Sequence, residues 1–180
     1  MSDLVTHARI FATAAHGAID QRRKYTGEPY IVHPMAVAKI VASVEHTAGM
    51  LAAAILHDVV EDTAVTLRDI NEIFGRKVAS LVGWLTDVSK PNDGNRSDRK
   101  AIDRDHIAKA PAEAQTIKLA DLIDNTASIV RYDPGFAKVY LEEKRLLLEV
   151  LERGDPKLVC DAKEQLTVCL TLIEGIANAA

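Results

Sequence analysis

The sequence of 180 residues has little cysteine and no excess of positive charge. Its two cysteines, Cys160 and Cys169, form neither a CxxC pair nor a disulfide framework, so we expect both to be reduced packing residues in a cytosolic protein. The net charge of −4 and the pI of about 5.9 argue against a general binder of nucleic-acid polymers or membrane surfaces, because such proteins need excess positive charge. A phosphorylated ligand would therefore have to meet a local basic patch.

Long apolar runs are also missing. The longest apolar stretch, about residues 48–56, is far shorter than the ~20 residues needed to cross a bilayer. The N-terminus from Ser2 to Arg9 lacks a basic segment followed by an apolar one, and it predicts a capped amphipathic helix instead of an export signal. We therefore expect a soluble, cytoplasmic protein without a membrane segment.

Strand patterns are scarce as well, since few runs of alternating β-branched residues lie between turns. Nearly every segment has helical periodicity, so we predict an all-α fold. The length suits one core, and no repeat, low-complexity segment or linker divides the chain, so a single domain over residues 1–180 is expected. Turn signals and caps predict helices over about 3–19, 34–45, 47–62, 66–75, 75–88, 97–109, 112–131, 134–152 and 157–178.

The most informative segment is residues 57–62, His-Asp-Val-Val-Glu-Asp, which follows seven consecutive apolar residues. On one continuous helix, His57 would lie over Glu61 and Asp58 over Asp62. Three carboxylates on one face, next to an imidazole, repel one another, and burying such polar groups unpaired costs free energy. A bound cation would remove both penalties. The segment therefore predicts a divalent metal site with an acidic pair beside it that could act on water.

Two further residues are candidate ligands. His33 precedes Pro34 at a helix start, and Asp121 ends an apolar stretch in Lys118–Asn125. Taken singly, the histidine could instead anchor a loop, and the aspartate could cap a helix or face solvent. With His57 and Asp58 they form a mixed nitrogen and oxygen set that suits Mn²⁺, Fe²⁺ or Zn²⁺. We favour Mn²⁺ because hard phosphate oxygens would complete its coordination shell.

In this order, the four candidate ligands resemble those of the HD superfamily of metal-dependent phosphohydrolases. Over about residues 8–151 the chain is similar to the hydrolase domain of the RelA/SpoT family, and the matching segments are 23–24, 27–34, 56–63 and 118–121. The resemblance implies a bundle of about ten helices that removes the 3′-pyrophosphate from guanosine tetra- or pentaphosphate. Because the chain ends soon afterwards, we expect a stand-alone small alarmone hydrolase, like metazoan homologues of SpoT, without synthetase or regulatory domains.

The same resemblance implies roles for individual residues. The metal ligands would be His33, His57, Asp58 and Asp121, with Mn²⁺ as the family's usual metal, and no organic cofactor is expected. Glu61 and Asp62 match the acidic pair that positions and deprotonates the attacking water. Substrate contacts are expected from Arg23 and Lys24 at the base, from Asn125 at the nucleoside, and from Thr126, Ser128 and Tyr140. Positive charge for the 5′-phosphates could come from Lys90, Arg96, Arg99 and Lys100, although these also suit an exposed basic helix start.

Two departures from the family pattern lie on the nucleoside side. The loop Arg23–Gly27 carries one extra residue, and Asn125 is followed by Thr-Ala-Ser where an arginine-containing segment is usual. Guanosine alarmones remain the leading substrates, with the adenosine analogues (p)ppApp, NADPH dephosphorylation and a non-catalytic nucleotide-binding module as alternatives. The partner would be a small nucleotide. The apolar helix over 166–176 is expected to complete the core, with a homodimer face as the alternative.

Overall fold

The computed structural model describes residues 3–178, and the predicted cap Ser2 lies outside this range. The described residues contain ten helices, so the all-α prediction is confirmed. Their β pairing is limited to an isolated bridge between Arg22 and Pro29. The helices are α1 Asp3–Ala18, α2 Val32–Val41, α3 Ala48–Leu56, α4 Val59–Asp62, α5 Leu67–Phe74, α6 Arg76–Leu85, α7 Arg96–Ile107, α8 Ala112–Tyr132, α9 Pro134–Leu148 and α10 Pro156–Asn178.

Several helix ends follow the local signals in the sequence. Thr66 begins α5 through a capping box, in which its side chain and that of Asp69 each accept the other residue's backbone N–H. Gly75 ends α5 with a φ of 84°, a conformation that favours glycine. Asp133 accepts a hydrogen bond from the N–H of Phe136 at 3.2 Å and begins α9. These boundaries are set by side chains close in sequence.

The predicted continuous helix from Thr47 through Asp62 is wrong. α3 ends at Leu56, His57 forms its C-cap, and α4 begins only at Val59. The ring Nδ1 of His57 donates to the carbonyl oxygen of Ala54 at 2.8 Å, the oxygen that a continuing helix would offer to the N–H of Asp58. The side chain thus competes with the backbone, and the acidic pair lies on a separate four-residue helix.

Helix α3 is the centre of the core. Ala52 through Leu56 are fully buried, and α3 packs against α1, α2, α6 and α8. Alanines let these neighbouring helices approach closely, and the apolar side chains around them exclude water. Because α3 is enclosed on several sides, its C-terminal end delivers His57 into the interior next to α2 and α8.

Helix α10 completes the core with one face only. Leu166, Cys169 and Ile173 are buried, whereas Val168 and Leu172 are exposed. The predicted core role is therefore confirmed for the described part of this helix. The prediction that both cysteines are packed is wrong for Cys160, because it lies on the solvent side of α10. None of the described helices is both long enough and apolar enough to span a membrane.

Two glycines provide a matched test of the packing. A Cβ at Gly154 would lie 2.5 Å from Cδ1 of the buried Leu119 and 3.3 Å from the backbone of α8, whereas one at Gly17 in α1 meets nothing within 4 Å. We expect Gly154→Ala to lower the free energy of unfolding by about 1–3 kcal/mol through overpacking. Gly17→Ala should raise it by up to about 1 kcal/mol. Urea titration measures both, and similar changes in the two variants would contradict this packing.

Candidate active site

Four predicted ligands converge where α2, α3, α4 and α8 meet. Nε2 of His33 lies 3.2 Å from Oδ1 of Asp121, and Nε2 of His57 lies 3.1 Å from Oδ2 of Asp58. The ligand atoms of His33, His57 and Asp58 all lie within 4.8 Å of one another. Asp121 joins them, since its Oδ1 is also 3.8 Å from Nε2 of His57. Residues that are far apart in sequence therefore form one compact cluster.

Hydrogen bonds at the outer nitrogen orient both imidazoles. Nδ1 of His57 donates to the Ala54 carbonyl oxygen, and Nδ1 of His33 donates to Oδ2 of Asp124 at 2.6 Å. Each Nε2 then presents a lone pair to the cluster when the ring is neutral. Nε2 of His57 is buried and, although it lies 3.1 Å from Oδ2 of Asp58, makes no well-aligned hydrogen bond within the described residues. This buried nitrogen lacks a well-aligned hydrogen-bond partner and faces two carboxylates and another imidazole. Such an arrangement suits the binding of a divalent metal ion.

The charges in the cluster suit metal binding. Burial works to raise the pKa of Asp58, but His57 lowers it to about 2. Burial likewise opposes ionisation of Asp121, yet the Lys118 ammonium holds the pKa of this carboxyl well below its usual range. For His57, burial works against the charged form while Asp58 raises the pKa to about 9. Both carboxylates are thus ionised at neutral pH, and a cation must displace the proton of His57.

Three residues that sequence reasoning did not assign to the site orient its ligands. The Tyr30 hydroxyl donates to Oδ2 of Asp58 at 2.6 Å, Nζ of Lys118 donates to Oδ2 of Asp121 at 2.9 Å, and Asp124 holds His33. Burial raises the pKa of Tyr30, with Asp58 adding to the effect, so its hydroxyl stays a donor. Tyr30 and Lys118 lie inside the segments that resemble the RelA/SpoT family, and this position is the one feature of the sequence that could have indicated their role.

The acidic pair lies on α4 at the rim of the cluster. Oε1 of Glu61 accepts a hydrogen bond from the backbone N–H of Asp87. Although the Glu61 side chain reaches solvent, the surrounding protein raises its pKa to about 7, and the Asp87 carboxylate adds to the rise. Oδ2 of Asp62 accepts a hydrogen bond from Nε2 of Gln21 at 2.8 Å. Each acid is therefore held by a group from a different segment.

Arg23 and Asn125 are brought together as predicted for a nucleoside site. The Arg23 guanidinium donates to Oδ1 of Asn125 at 3.2 and 3.3 Å and to Oγ of Ser128 at 3.2 Å. Lys24 is not part of this group, because its exposed ammonium pairs with Asp133 at 3.2 Å. The structure thus separates two neighbouring residues that sequence reasoning placed at one base.

Thr126 is fully buried, so its side chain faces protein groups rather than the cleft. Its hydroxyl donates to the Leu122 carbonyl oxygen at 2.5 Å and accepts from Nζ of Lys144 at 3.0 Å. Tyr140, in contrast, is half-buried and lines the cavity beside the cluster. Of these two predicted contacts, only Tyr140 faces the space that a ligand would fill.

A cavity of about 700 Å³ opens beside the cluster between α6, α7, α8 and α9. This volume suits a nucleotide-sized ligand. Arg96 and Lys100 line the cavity. Nε of Arg96 forms an ion pair with Oε1 of Glu143 at 2.7 Å, and Nζ of Lys100 forms one with Oδ2 of Asp87 at 2.8 Å. Lys90 and Arg99, the other two predicted basic residues, are not among its lining residues. Other lining groups are Lys118, Asp121, Asn125 and Tyr140.

Comparison with known proteins agrees with this geometry. The family model described as HD domain matches residues 8–138, a range that includes the whole cluster. The chain belongs to the HD domain family. The predicted membership and helical fold are therefore confirmed, and the cluster of histidines and aspartates, called the HD centre below, lies inside the matched range.

Three proteins illustrate the similarity. The chain is 36% identical over 134 residues to a probable guanosine-3′,5′-bis(diphosphate) 3′-pyrophosphohydrolase of Synechocystis, covering 73% of this chain and 17% of that protein. It is 31% identical over 157 residues to the bifunctional (p)ppGpp synthase/hydrolase SpoT of Escherichia coli, covering 86% and 22%. This chain thus spans about a fifth of these curated relatives. A solved structure of a metazoan ortholog of SpoT that hydrolyses ppGpp superposes with a TM-score of 0.82 at 28% identity, covering 93% of this chain and 96% of that one.

Metal binding to the HD centre can be tested without an activity assay. A divalent cation at 100 times its dissociation constant should stabilise the folded protein by about 2.7 kcal/mol, seen as a higher unfolding temperature that a chelator reverses. His57→Ala should remove most of this shift because it deletes a buried ligand. His46→Ala, at an exposed histidine, should keep it. An equal shift in both variants would place the cation elsewhere.

Proposed function

We propose that this HD domain hydrolyses guanosine 3′,5′-bis(diphosphate) and its pentaphosphate analogue, releasing the 3′-pyrophosphate and leaving GDP or GTP. The observation that carries the proposal is the convergence of the four-ligand cluster with Glu61, whose pKa is about 7, beside a cavity of about 700 Å³. The names of the curated relatives and the reported activity of the metazoan ortholog support it. A cytoplasmic location, a single domain over 1–180 and a homodimer stay predictions.

We assign the metal as Mn²⁺, with Zn²⁺ and Fe²⁺ as less favoured occupants. Two imidazoles and two carboxylates suit all three ions, and hard phosphate oxygens favour manganese. When bound, the ion would acidify water and offset negative charge on the phosphoryl oxygens. His33, His57, Asp58 and Asp121 would hold it. The donor atoms of the first three lie within 4.8 Å of one another, and Oδ1 of Asp121 lies 3.2 Å from Nε2 of His33 and 3.8 Å from Nε2 of His57.

Glu61 is the proton acceptor in this proposal. Water attacks the phosphorus bonded to the ribose 3′ oxygen, and Glu61 takes a proton from the water. The bond between that phosphorus and the 3′ oxygen breaks, and the 3′ oxygen takes up a proton from solvent to leave as the hydroxyl. A carboxylate with a pKa of about 7 is partly ionised at neutral pH and is a stronger base than an ordinary glutamate. This step weakens as the pH falls through that pKa, because protonated Glu61 cannot accept. Asp62 orients the water from the same helix.

The nucleoside would lie on the side of Arg23 and Asn125. The planar guanidinium of Arg23, already fixed by Asn125 and Ser128, can stack on a purine. Arg96 and Lys100 would meet the 5′-phosphates in the cavity. Tyr140 lines the same cavity and is assigned to the phosphates, while Lys24 stays a predicted contact near the base. Thr126 would not contact the substrate itself but would stabilise the segment of α8 that carries Asn125, through its hydrogen bond to the Leu122 carbonyl oxygen.

The base preference is the part of the proposal with a second candidate. The extra residue in the loop 23–27 and the absence of an arginine after Asn125 both change the nucleoside side and leave the metal ligands intact. Because both changes lie where the base would bind, the adenosine analogues (p)ppApp are the alternative substrates for the same reaction. NADPH dephosphorylation would need no recognition of a 3′-pyrophosphate.

A direct assay tests the function. Protein with Mn²⁺ is incubated separately with ppGpp, ppApp and NADPH, and products are separated by anion exchange, with a chelated sample as control. We expect pyrophosphate release from ppGpp, and a loss of roughly 10²- to 10⁴-fold in kcat for Glu61→Gln with metal binding retained. Release from ppApp alone would move the base preference to adenine. Phosphate loss from NADPH alone, or full turnover by Glu61→Gln, would overturn the proposal.

Arg23→Ala tests the nucleoside side. Because stacking binds the ground state and the transition state alike, the variant should raise KM roughly 3- to 30-fold and change kcat little. Arg9→Ala is the matched control, since Arg9 lies exposed on α1. Steady-state kinetics with ppGpp decide the question. A fall in kcat at constant KM would show that Arg23 acts on the reaction step instead.

A further inference from the structure

Gln21 links the acidic pair to the interior of the protein. It lies in the loop 19–31 that joins α1 to α2, and its Nε2 donates to Oδ2 of Asp62 at 2.8 Å. Its Oε1 lies 2.7 Å from Nδ1 of His16 on α1. Since the Asp62 carboxylate can only accept, the amide oxygen must face His16, and Nδ1 of His16 must be the donor. The hydrogen bonds therefore run in one direction, from His16 through Gln21 to Asp62.

His16 is an unfavourable choice for packing alone. The ring is 1% exposed, and its second nitrogen, Nε2, is buried without a hydrogen-bond partner among the described residues. The ring packs against that of Tyr30 in the loop 19–31, with the two ring centroids 4.8 Å apart. An apolar aromatic side chain could fill this space without burying an unpaired nitrogen. What the histidine adds is the Nδ1–H donor that fixes Gln21.

Asp62 needs such an anchor because of where it lies. It is the last residue of the four-residue helix α4, and its side chain is exposed. An exposed aspartate rotates among several rotamers. In the described part of the chain its carboxylate takes a hydrogen bond from Gln21, which selects one orientation. Oriented groups are what a reaction on bound water requires.

The loop 19–31 also holds other parts of the site. The backbone pairs across the loop, with the N–H of Tyr30 donating to the Gln21 carbonyl oxygen at 3.1 Å and the N–H of Arg23 donating to that of Glu28 at 2.9 Å. In extended backbone, residues two apart project to the same face. Gln21 and Arg23 are two residues apart, and their side chains contact Asp62 and Asn125 respectively. Tyr30, across the loop, contacts the proposed metal ligand Asp58.

We propose that His16 and Gln21 are positioning residues of the hydrolytic reaction. His16 fixes the amide of Gln21, and Gln21 holds the Asp62 carboxylate in the orientation in which it acts with Glu61 on the attacking water. The inference rests on the proposed function, since it requires that Asp62 takes part in turnover. It adds two residues, from α1 and the following loop, that touch neither metal ligands nor substrate.

The test separates positioning from folding. Gln21→Met keeps the length of the side chain and removes both hydrogen bonds, and His16→Phe keeps the aromatic packing and removes the donor. With ppGpp and Mn²⁺, both should lower kcat roughly 10- to 100-fold while KM stays within about twofold. His16→Asn, whose Nδ2 can replace Nδ1 as donor, should recover most of the loss. In urea, His16→Phe should be at least as stable as the parent, because it no longer buries an unpaired nitrogen.

A merely structural role would lower stability and activity together and would give no recovery in His16→Asn, so that result would overturn the inference. Arg22→Met is the matched control in the same loop, because the Arg22 side chain is exposed and pairs with Asp20. It should keep the parental kcat. A loss in Arg22→Met equal to that in Gln21→Met would attribute the effect to the loop as a whole and also overturn it.

A double-mutant cycle identifies the residue through which Gln21 acts. If it acts through Asp62, Gln21→Met should cause no further loss of kcat in an Asp62→Asn background, whereas multiplied losses would overturn the inference. Parental turnover in Asp62→Asn would remove Asp62 from the proposed function. Slow turnover in Asp62→Asn with parental turnover in Gln21→Met would leave the proposed function intact and overturn the positioning role alone.

Discussion

The hydrogen bond from Nδ1 of His57 to the Ala54 carbonyl oxygen is the interaction on which the site depends. It orients the imidazole so that Nε2 faces the other ligands, and it uses the oxygen that would otherwise extend α3. The chain then starts a new short helix at Val59, which carries Glu61 and Asp62 to the rim instead of over His57 and Asp58. One local contact thus separates a buried binding centre from an accessible acidic pair.

The buried cluster has to be stable both with and without a cation. Asp58 and Asp121 are ionised although burial opposes their charge, and they are compensated by the Lys118 ammonium, the Tyr30 hydroxyl and a proton on His57. Burying a carboxylate without such partners would cost several kcal/mol. A divalent ion can take over the role of the His57 proton. The fold therefore holds the four predicted ligands in place, which limits the reorganisation that binding a cation would require.

The sequence was sufficient for the all-α class and for choosing four residues that the fold brings together, because apolar periodicity and motif order are visible in a single chain. It was insufficient for contacts between distant segments. Gln21 and Asp62 are 41 residues apart, and nothing in the local pattern around either residue indicates the other. Thr126 follows Asn125 directly and suggested a substrate contact, but the buried ammonium of Lys144 on α9 draws its hydroxyl inward. The sequence does not indicate the break between α3 and α4 at His57. The His57 side chain takes the Ala54 carbonyl oxygen from the helix, and this leaves the periodicity of the apolar residues unchanged.

In the proposed function, the loop 19–31 connects the nucleoside side of the site to the acidic pair. Arg23 faces the nucleoside side, while Gln21, two residues earlier on the same face, holds Asp62. The backbone pairing of Gln21 with Tyr30 fixes the relative positions of both side chains and of the Tyr30 hydroxyl on Asp58. A change within the paired residues would therefore move Arg23 and the anchor of Asp62 together. The extra residue between Arg23 and Gly27 lies at the tip, beyond the paired residues 21 and 30, where it can alter the surface offered to a base and leave the anchor unmoved.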